Sequence, residues 1–175
     1  VDENGVDVPE GQYGEVICRG PYTIDGYYKS SEANKTSFNS DGFYLTGDKA
    51  MRDKENRYRF GGRVKEQINR AGEKIMPSEV EEALCEHKKI SDAAVVGIKD
   101  DILGEKICAC VIYKDNSDTL KYKELIDFLQ SEGLASYKLP DDIKKMNEFP
   151  LTNMNKVNKV ELKKMMEADC KADLG

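Results

Sequence analysis

The longest apolar runs in the chain are short: Ala93-Ala-Val-Val96 and Ile107-Cys-Ala-Cys-Val-Ile-Tyr113. A bilayer-spanning helix needs about 20 apolar residues. These runs therefore read as strands, near 93–98 and 106–113, and their flanks settle the class. Over 77–87, Val80, Ala83, Leu84 and His87 recur at i, i+3, i+4 and i+7, with Pro77 in the first turn, which predicts a helix. A second helix is expected over about 120–132, with Tyr122, Leu125, Ile126 and Leu129 on one face and Gly133 as its stop. A short strand is expected near 143–147. A last helix is expected from about Asn158, with Leu162, Met165 and Met166 inward. Helices alternating with a few strands make 64–168 a small α+β domain. Residues 169–175 have little to bury and are expected to fray.

Residues 1–63 read differently. Short stretches such as Gly14-Glu-Val-Ile-Cys18, Phe43-Tyr-Leu45 and Tyr58-Arg-Phe60 are separated by Asn4-Gly5, Gly20-Pro21 and Asp41-Gly42. That is strand-and-turn punctuation, with at most a helical turn near Ser31–Asn34. Val1 is not a start methionine, and we expect a piece of a longer protein.

Charge narrows the partners. The 175 residues carry a net charge of -6, which argues against nucleic acid and anionic membrane surfaces. Five cysteines without a C-x-x-C, beside the single His87, make a zinc set a poor fit and suggest a reduced, cytoplasmic protein. Cys108 and Cys110 are two apart on a strand, so both face one side, and we read them as core.

Four places could carry chemistry. In Tyr44-Leu-Thr-Gly-Asp48, a loop Asp after Gly can end a strand by bonding backbone amides, or accept both hydroxyls of a vicinal diol. Arg63, after Gly61-Gly62, is either a surface charge or a ligand clamp. The turn Asn69-Arg-Ala-Gly-Glu-Lys74 is either a hairpin with Gly in a left-handed conformation or a backbone that a ligand approaches closely. Near the end, Pro150-Leu-Thr-Asn-Met-Asn-Lys-Val-Asn-Lys159 holds two lysines in a polar loop that has no core to build.

Their order carries a resemblance. Thr46-Gly-Asp48, then Gly62-Arg63-x-Lys65 with Gly72, then Glu79-x-Glu81, then the Lys156 loop resemble the C-terminal third of the adenylate-forming ligases. The resemblance runs from about Gly11 to Met166. Lys65–Lys74, Leu134–Asp141 and Phe149-Pro-Leu-Thr152 look nearest to aryl-acid ligases of the 2,3-dihydroxybenzoate–AMP type.

The resemblance implies an α+β chain in two parts: the β-rich end of a large N-terminal domain (1–63), then a mobile C-terminal lid (64–168). It implies a carboxylic acid activated by ATP and Mg2+, with the acyl group passed to coenzyme A or to a carrier protein's phosphopantetheine, in a setting such as siderophore biosynthesis. Asp48 and Arg63 would hold the ribose, and Lys65 would be the hinge. Gly72 would open the tunnel for the pantetheine arm. Lys156 would be the catalytic lysine, and Lys159 a solvated charge.

The sequence departs from that pattern at Asn153 and Asn155, where glycine is usual, at Glu55-Asn-Arg57, where Asp-Gly is common, and at Met76-Pro77, which is more typical of acyl-CoA ligases. Asn tolerates left-handed backbone, so the lysine loop can survive. The family's phosphate-binding loop, acid pocket and magnesium-binding glutamate would all lie in an N-terminal region upstream. The chain alone is therefore expected to be inactive. The alternatives are an acyl-CoA synthetase for another carboxylic acid, and a non-catalytic lid-like module that docks a carrier protein.

Overall fold

The computed structural model describes residues 1–115 and 119–172, with side chains through 169. The chain divides into two compact units, the first Val1–Lys65 and the second beginning at Glu66.

In the first unit, β1 (Tyr13–Cys18), β2 (Tyr44–Arg52) and β3 (Tyr58–Arg63) form an antiparallel sheet in that order, and α1 (Ser31–Ser37) lies between β1 and β2 in sequence. The turn expected near Ser31 is this short helix. The Phe43–Leu45 stretch is the start of a strand of nine residues. The β2–β3 turn solves the absence of Asp-Gly. Asp53 Oδ1 accepts the Glu55 and Arg57 amides, both at 2.9 Å, and Asn56 takes φ 58°. An Asx turn and a left-handed Asn thus do the work of glycine.

The second unit has a sheet in the order β5-β4-β7-β6, with β8 alongside β7. Its elements are β4 (Ile68–Arg70), β5 (Glu73–Ile75), α2 (Pro77–Cys85), β6 (Ile90–Asp100), β7 (Gly104–Tyr113), α3 (Tyr122–Ser131), β8 (Asp142–Lys145) and α4 (Lys159–Ala172). The two apolar runs are the long antiparallel pair β6–β7, in register Val95↔Ala109 and Val96↔Cys108. Side chains alternate across a strand, so each run feeds both faces. Val95, Ile107, Ala109 and Val111 pack with Val80 and Leu84 of α2 and Leu125 and Leu129 of α3. Val96, Ile98, Cys108 and Cys110 pack with Phe149 and with Leu162 and Met166 of α4. Helices on both faces explain why β6 over 93–98 and β7 over 107–113 carry apolar residues toward both sides. The two cysteines are core, and burial, together with the Cys110 contact that outranks it, pushes the Cys108 thiol far up.

Two expectations need correction. Met165 is exposed: with Leu162 and Met166 buried, the adjacent position 165 turns outward. His87 lies beyond α2, which ends at Cys85, yet it is buried edge-on against the Phe128 ring. α4 runs to Ala172, and 173–175, the end of the tail expected to fray, lie outside the described residues. No helix among the described residues is long and apolar enough to cross a membrane.

Candidate functional site

Asp48 sits inside β2, not in a loop. Between the pairs Glu15↔Lys49 and Ile17↔Leu45, the residues Thr46, Gly47 and Asp48 stand opposite Val16 alone, so the Thr-Gly-Asp motif is a bulge. Bulges bend a strand and re-aim its side chains. Gly47 takes φ 71° and donates its amide to Glu15 Oε1 at 3.0 Å. Thr46 Oγ1 donates to Val16 O at 2.6 Å and accepts the Asp48 amide at 3.1 Å. A threonine, a glycine and an aspartate are each used for what that residue type alone supplies.

The bulge aims Asp48 at Arg63, its direct partner in the β2–β3 ladder. Arg63 Nε lies 2.9 Å from Asp48 Oδ1. The contact brings the charges together without a directed N–H···O bond. Oδ1 is buried and receives no hydrogen bond from any described residue. The rest of the carboxylate is open, the side chain being 36% exposed. Tyr44, at the head of the same motif, shares a hydroxyl–hydroxyl bond of 3.2 Å with Tyr27, which pushes its phenol above its ordinary value.

Lys65 is the last residue of the first unit and is exposed in a 3-10 turn, Val64–Glu66. Gly72 stands in the second unit, in the two-residue turn joining β4 to β5. Arg70↔Glu73 is the closing pair, and Ala71 and Gly72 have φ 51° and 90°. Two successive positive φ values define the hairpin turn whose twist matches the strands. Ala71 is strained there by roughly 1–2 kcal/mol, and its amide is held by Leu103 O at 2.7 Å. A Cβ built at Gly72 meets nothing within 4 Å, so conformation, not space, makes glycine suit this position.

Lys156 is at the end of another closed turn. Leu151 bridges Val157, Thr152 N donates to Lys156 O at 2.7 Å, and Lys156 N donates to Thr152 Oγ1 at 3.2 Å. Asn155 takes φ 59°, so it supplies the left-handed residue expected of glycine; Asn153 does not. The Lys156 backbone is fixed while its side chain is exposed. Asn158 caps α4, with Oδ1 accepting the Glu161 amide at 3.1 Å.

Lys159 is not a solvated charge. Its ammonium lies 2.7 Å from Glu81 Oε1 and 3.3 Å from Glu66 Oε2, and the side chain is only 20% exposed. The sequence held one signal of this: a lysine in the first turn of a helix opposes the helix dipole. Asp48 and Arg63 are thus brought into contact, whereas Gly72 and Lys156 occupy separate turns of the second unit. Among the described residues no group of three or more His, Cys, Asp or Glu is placed to hold a metal ion.

Residues 79–156 match the AMP-binding enzyme C-terminal domain. Along nearly its whole length this chain is similar to the adenylate-forming enzymes. It is 41% identical over 169 residues to the vibriobactin-specific 2,3-dihydroxybenzoate-AMP ligase of Vibrio cholerae, covering 95% of this chain and 31% of that protein. It is 44% identical over 162 residues to the 2,3-dihydroxybenzoate-AMP ligase of Bacillus subtilis, covering 93% of this chain and 30% of that one. The crystal structure of the anthranilate CoA ligase AuaEII in complex with anthranoyl-AMP superposes with a TM-score of 0.87 at 27% identity, over 98% of this chain and 33% of the ligase. The chain therefore spans about a third of the length of the relatives it matches, and it corresponds to their C-terminal part.

Proposed function

We propose that this chain is the C-terminal part of an ATP-dependent carboxylic-acid ligase that forms an acyl-adenylate and hands the acyl group to a pantetheine thiol. In the first step a carboxylate oxygen attacks the α-phosphorus of ATP and pyrophosphate leaves. In the second a thiol attacks the acyl carbonyl and AMP leaves. An aryl acid is the substrate class this reading favours, because dihydroxybenzoate and anthranoyl-AMP appear in the names of the relatives. The thiol belongs to coenzyme A or to a carrier protein.

The observation that carries the reading is the Thr46–Asp48 bulge, which sets Asp48 beside Arg63 with its side chain still 36% exposed. The open side of such a carboxylate can accept the adjacent hydroxyls of a ribose. Lys156, exposed on a rigid turn, suits an ammonium delivered to oxygens that gain negative charge. Lys65, at the end of the first unit, is the proposed hinge, and Gly72 the proposed mouth of the pantetheine tunnel. The phosphate loop, the acid pocket and the magnesium ligands lie, in this reading, in an N-terminal region outside this chain. Exposed Tyr58 and Phe60 on β3 are surfaces such a region can cover.

The test is acid-dependent exchange of pyrophosphate into ATP by the full-length protein. Asp48→Ala should raise the KM for ATP about tenfold or more, the worth of a hydrogen bond to a charged group. An unchanged KM in a folded variant overturns the ribose assignment. The isolated chain should show no exchange, and robust exchange by it overturns the reading of the chain as an incomplete enzyme.

A further inference from the structure

We infer that Lys159 is a positioning residue for Lys156: its ammonium, clamped between Glu81 and Glu66, fixes the start of α4 and with it the turn that presents Lys156. This rests on the role proposed for Lys156.

A lysine at the first position of a helix is on the wrong end of the dipole, where carboxylates belong. Such a local conflict survives when something else is gained. Here the conflict is offset by two carboxylates from two other elements, one on α2 and one in the 3-10 turn beside Lys65. Glu81 is itself immobilised, because its Oε1 also accepts the Val95 amide of β6 at 2.7 Å. The ammonium of Lys159 is therefore pinned to the sheet and not to another mobile surface chain.

From Lys159 back to Lys156 the backbone is held at every step. Asn158 N donates to Pro150 O at 2.7 Å, Val157 bridges Leu151, and Lys156 O accepts from Thr152 N. A displacement of the α4 start is therefore passed to the Lys156 turn without a slack residue between them. The same clamp ties that turn to Glu66, next to the proposed hinge.

The split between the half-reactions separates positioning from stability. The Lys159 and Glu81 side chains are only 20% and 19% exposed, so losing this pair should also lower the melting temperature, but a loss of stability alone would not single out one half-reaction. Misplacing a reacting group by about 1 Å can cost roughly 10²-fold in rate. The sequence has already placed the reacting lysine three residues away.

The experiment uses the full-length protein, with Lys159→Met, Lys159→Arg and Lys156→Ala measured side by side. The readouts are pyrophosphate exchange, thioester formation from pre-made acyl-adenylate, and melting temperature. Lys159→Met should stay folded and lose about tenfold or more in kcat for exchange, with little change in thioester formation. Lys159→Arg, which keeps the charge and can reach both carboxylates, should restore most of the exchange. Parental exchange in Lys159→Met, an equal fall in both half-reactions, or no rescue by Lys159→Arg overturns the proposal. A deficient Lys156→Ala beside a parental Lys159→Met overturns this proposal alone. A parental Lys156→Ala overturns the Lys156 role and this proposal with it.

Discussion

Arg70 grips Asp141 with two prongs: Nε lies 2.9 Å from Oδ2, and Nη2 lies 2.6 Å from Oδ1. Oδ2 also accepts the Ile107 amide at 2.8 Å. Both side chains are three-quarters buried. Bidentate geometry of this kind is the strong form of the ion pair. Asp141 thereby fastens the residue just before the Ala71–Gly72 turn to the middle of the sheet.

Asp141→Ala should destabilise the protein by about 2 kcal/mol, since it strands a guanidinium and a buried strand amide together. Urea unfolding checks this. A change within about 0.5 kcal/mol, the range of ordinary surface substitutions, would show that the clasp is dispensable.

A second clasp predicts a pH dependence. Glu105 takes Lys163 Nζ on Oε1 at 2.8 Å and the Asn69 amide on Oε2 at 2.9 Å. Partial burial, the largest single influence, pushes its carboxyl up. The Lys163 ammonium and the Asn69 N–H together outweigh it and hold the carboxyl below its ordinary 4.5. A carboxylate lowered by folding stabilises the fold above its unfolded value, and that stability fades as pH falls through the lowered value. The stability gap between the protein and Glu105→Gln should therefore be widest near neutral pH and shrink below about 4.5. A gap that stays constant down to pH 3, or grows there, contradicts the assignment of the charge.

Much of this was legible in the sequence, and the failures have physical reasons. The α2 and α3 faces and the β6–β7 pair were readable because period and apolarity agree over long stretches. Asp48 was read as a loop residue because a strand that bulges to opposite-face a carboxylate loses its alternation at Thr46–Asp48. Asn155 could be foreseen as a left-handed residue because Asn tolerates that backbone. The dipole conflict marked Lys159 but not its partners, because Glu66 and Glu81 stand far from it in sequence and only the fold brings them near. Asp141 and Glu105 escaped for the same reason. A single acidic residue carries no sign of which distant amide it will accept.

Gly72 offers a test that separates strain from function. A side chain there has room, so Gly72→Leu should cost about 1–2 kcal/mol for a left-handed backbone and remain folded. In the full-length protein, acyl transfer to the thiol should be blocked while pyrophosphate exchange stays largely intact. A folded Gly72→Leu that transfers acyl groups at the parental rate would return the turn to a structural hairpin.

The most direct measurement takes Lys156→Ala in the full-length protein and follows the two half-reactions separately. Removing an ammonium that stabilises developing negative charge should slow adenylate formation by roughly 10²–10³, with thioester formation from pre-made adenylate much less affected. An equal fall in both half-reactions would make Lys156 structural and contradict the account.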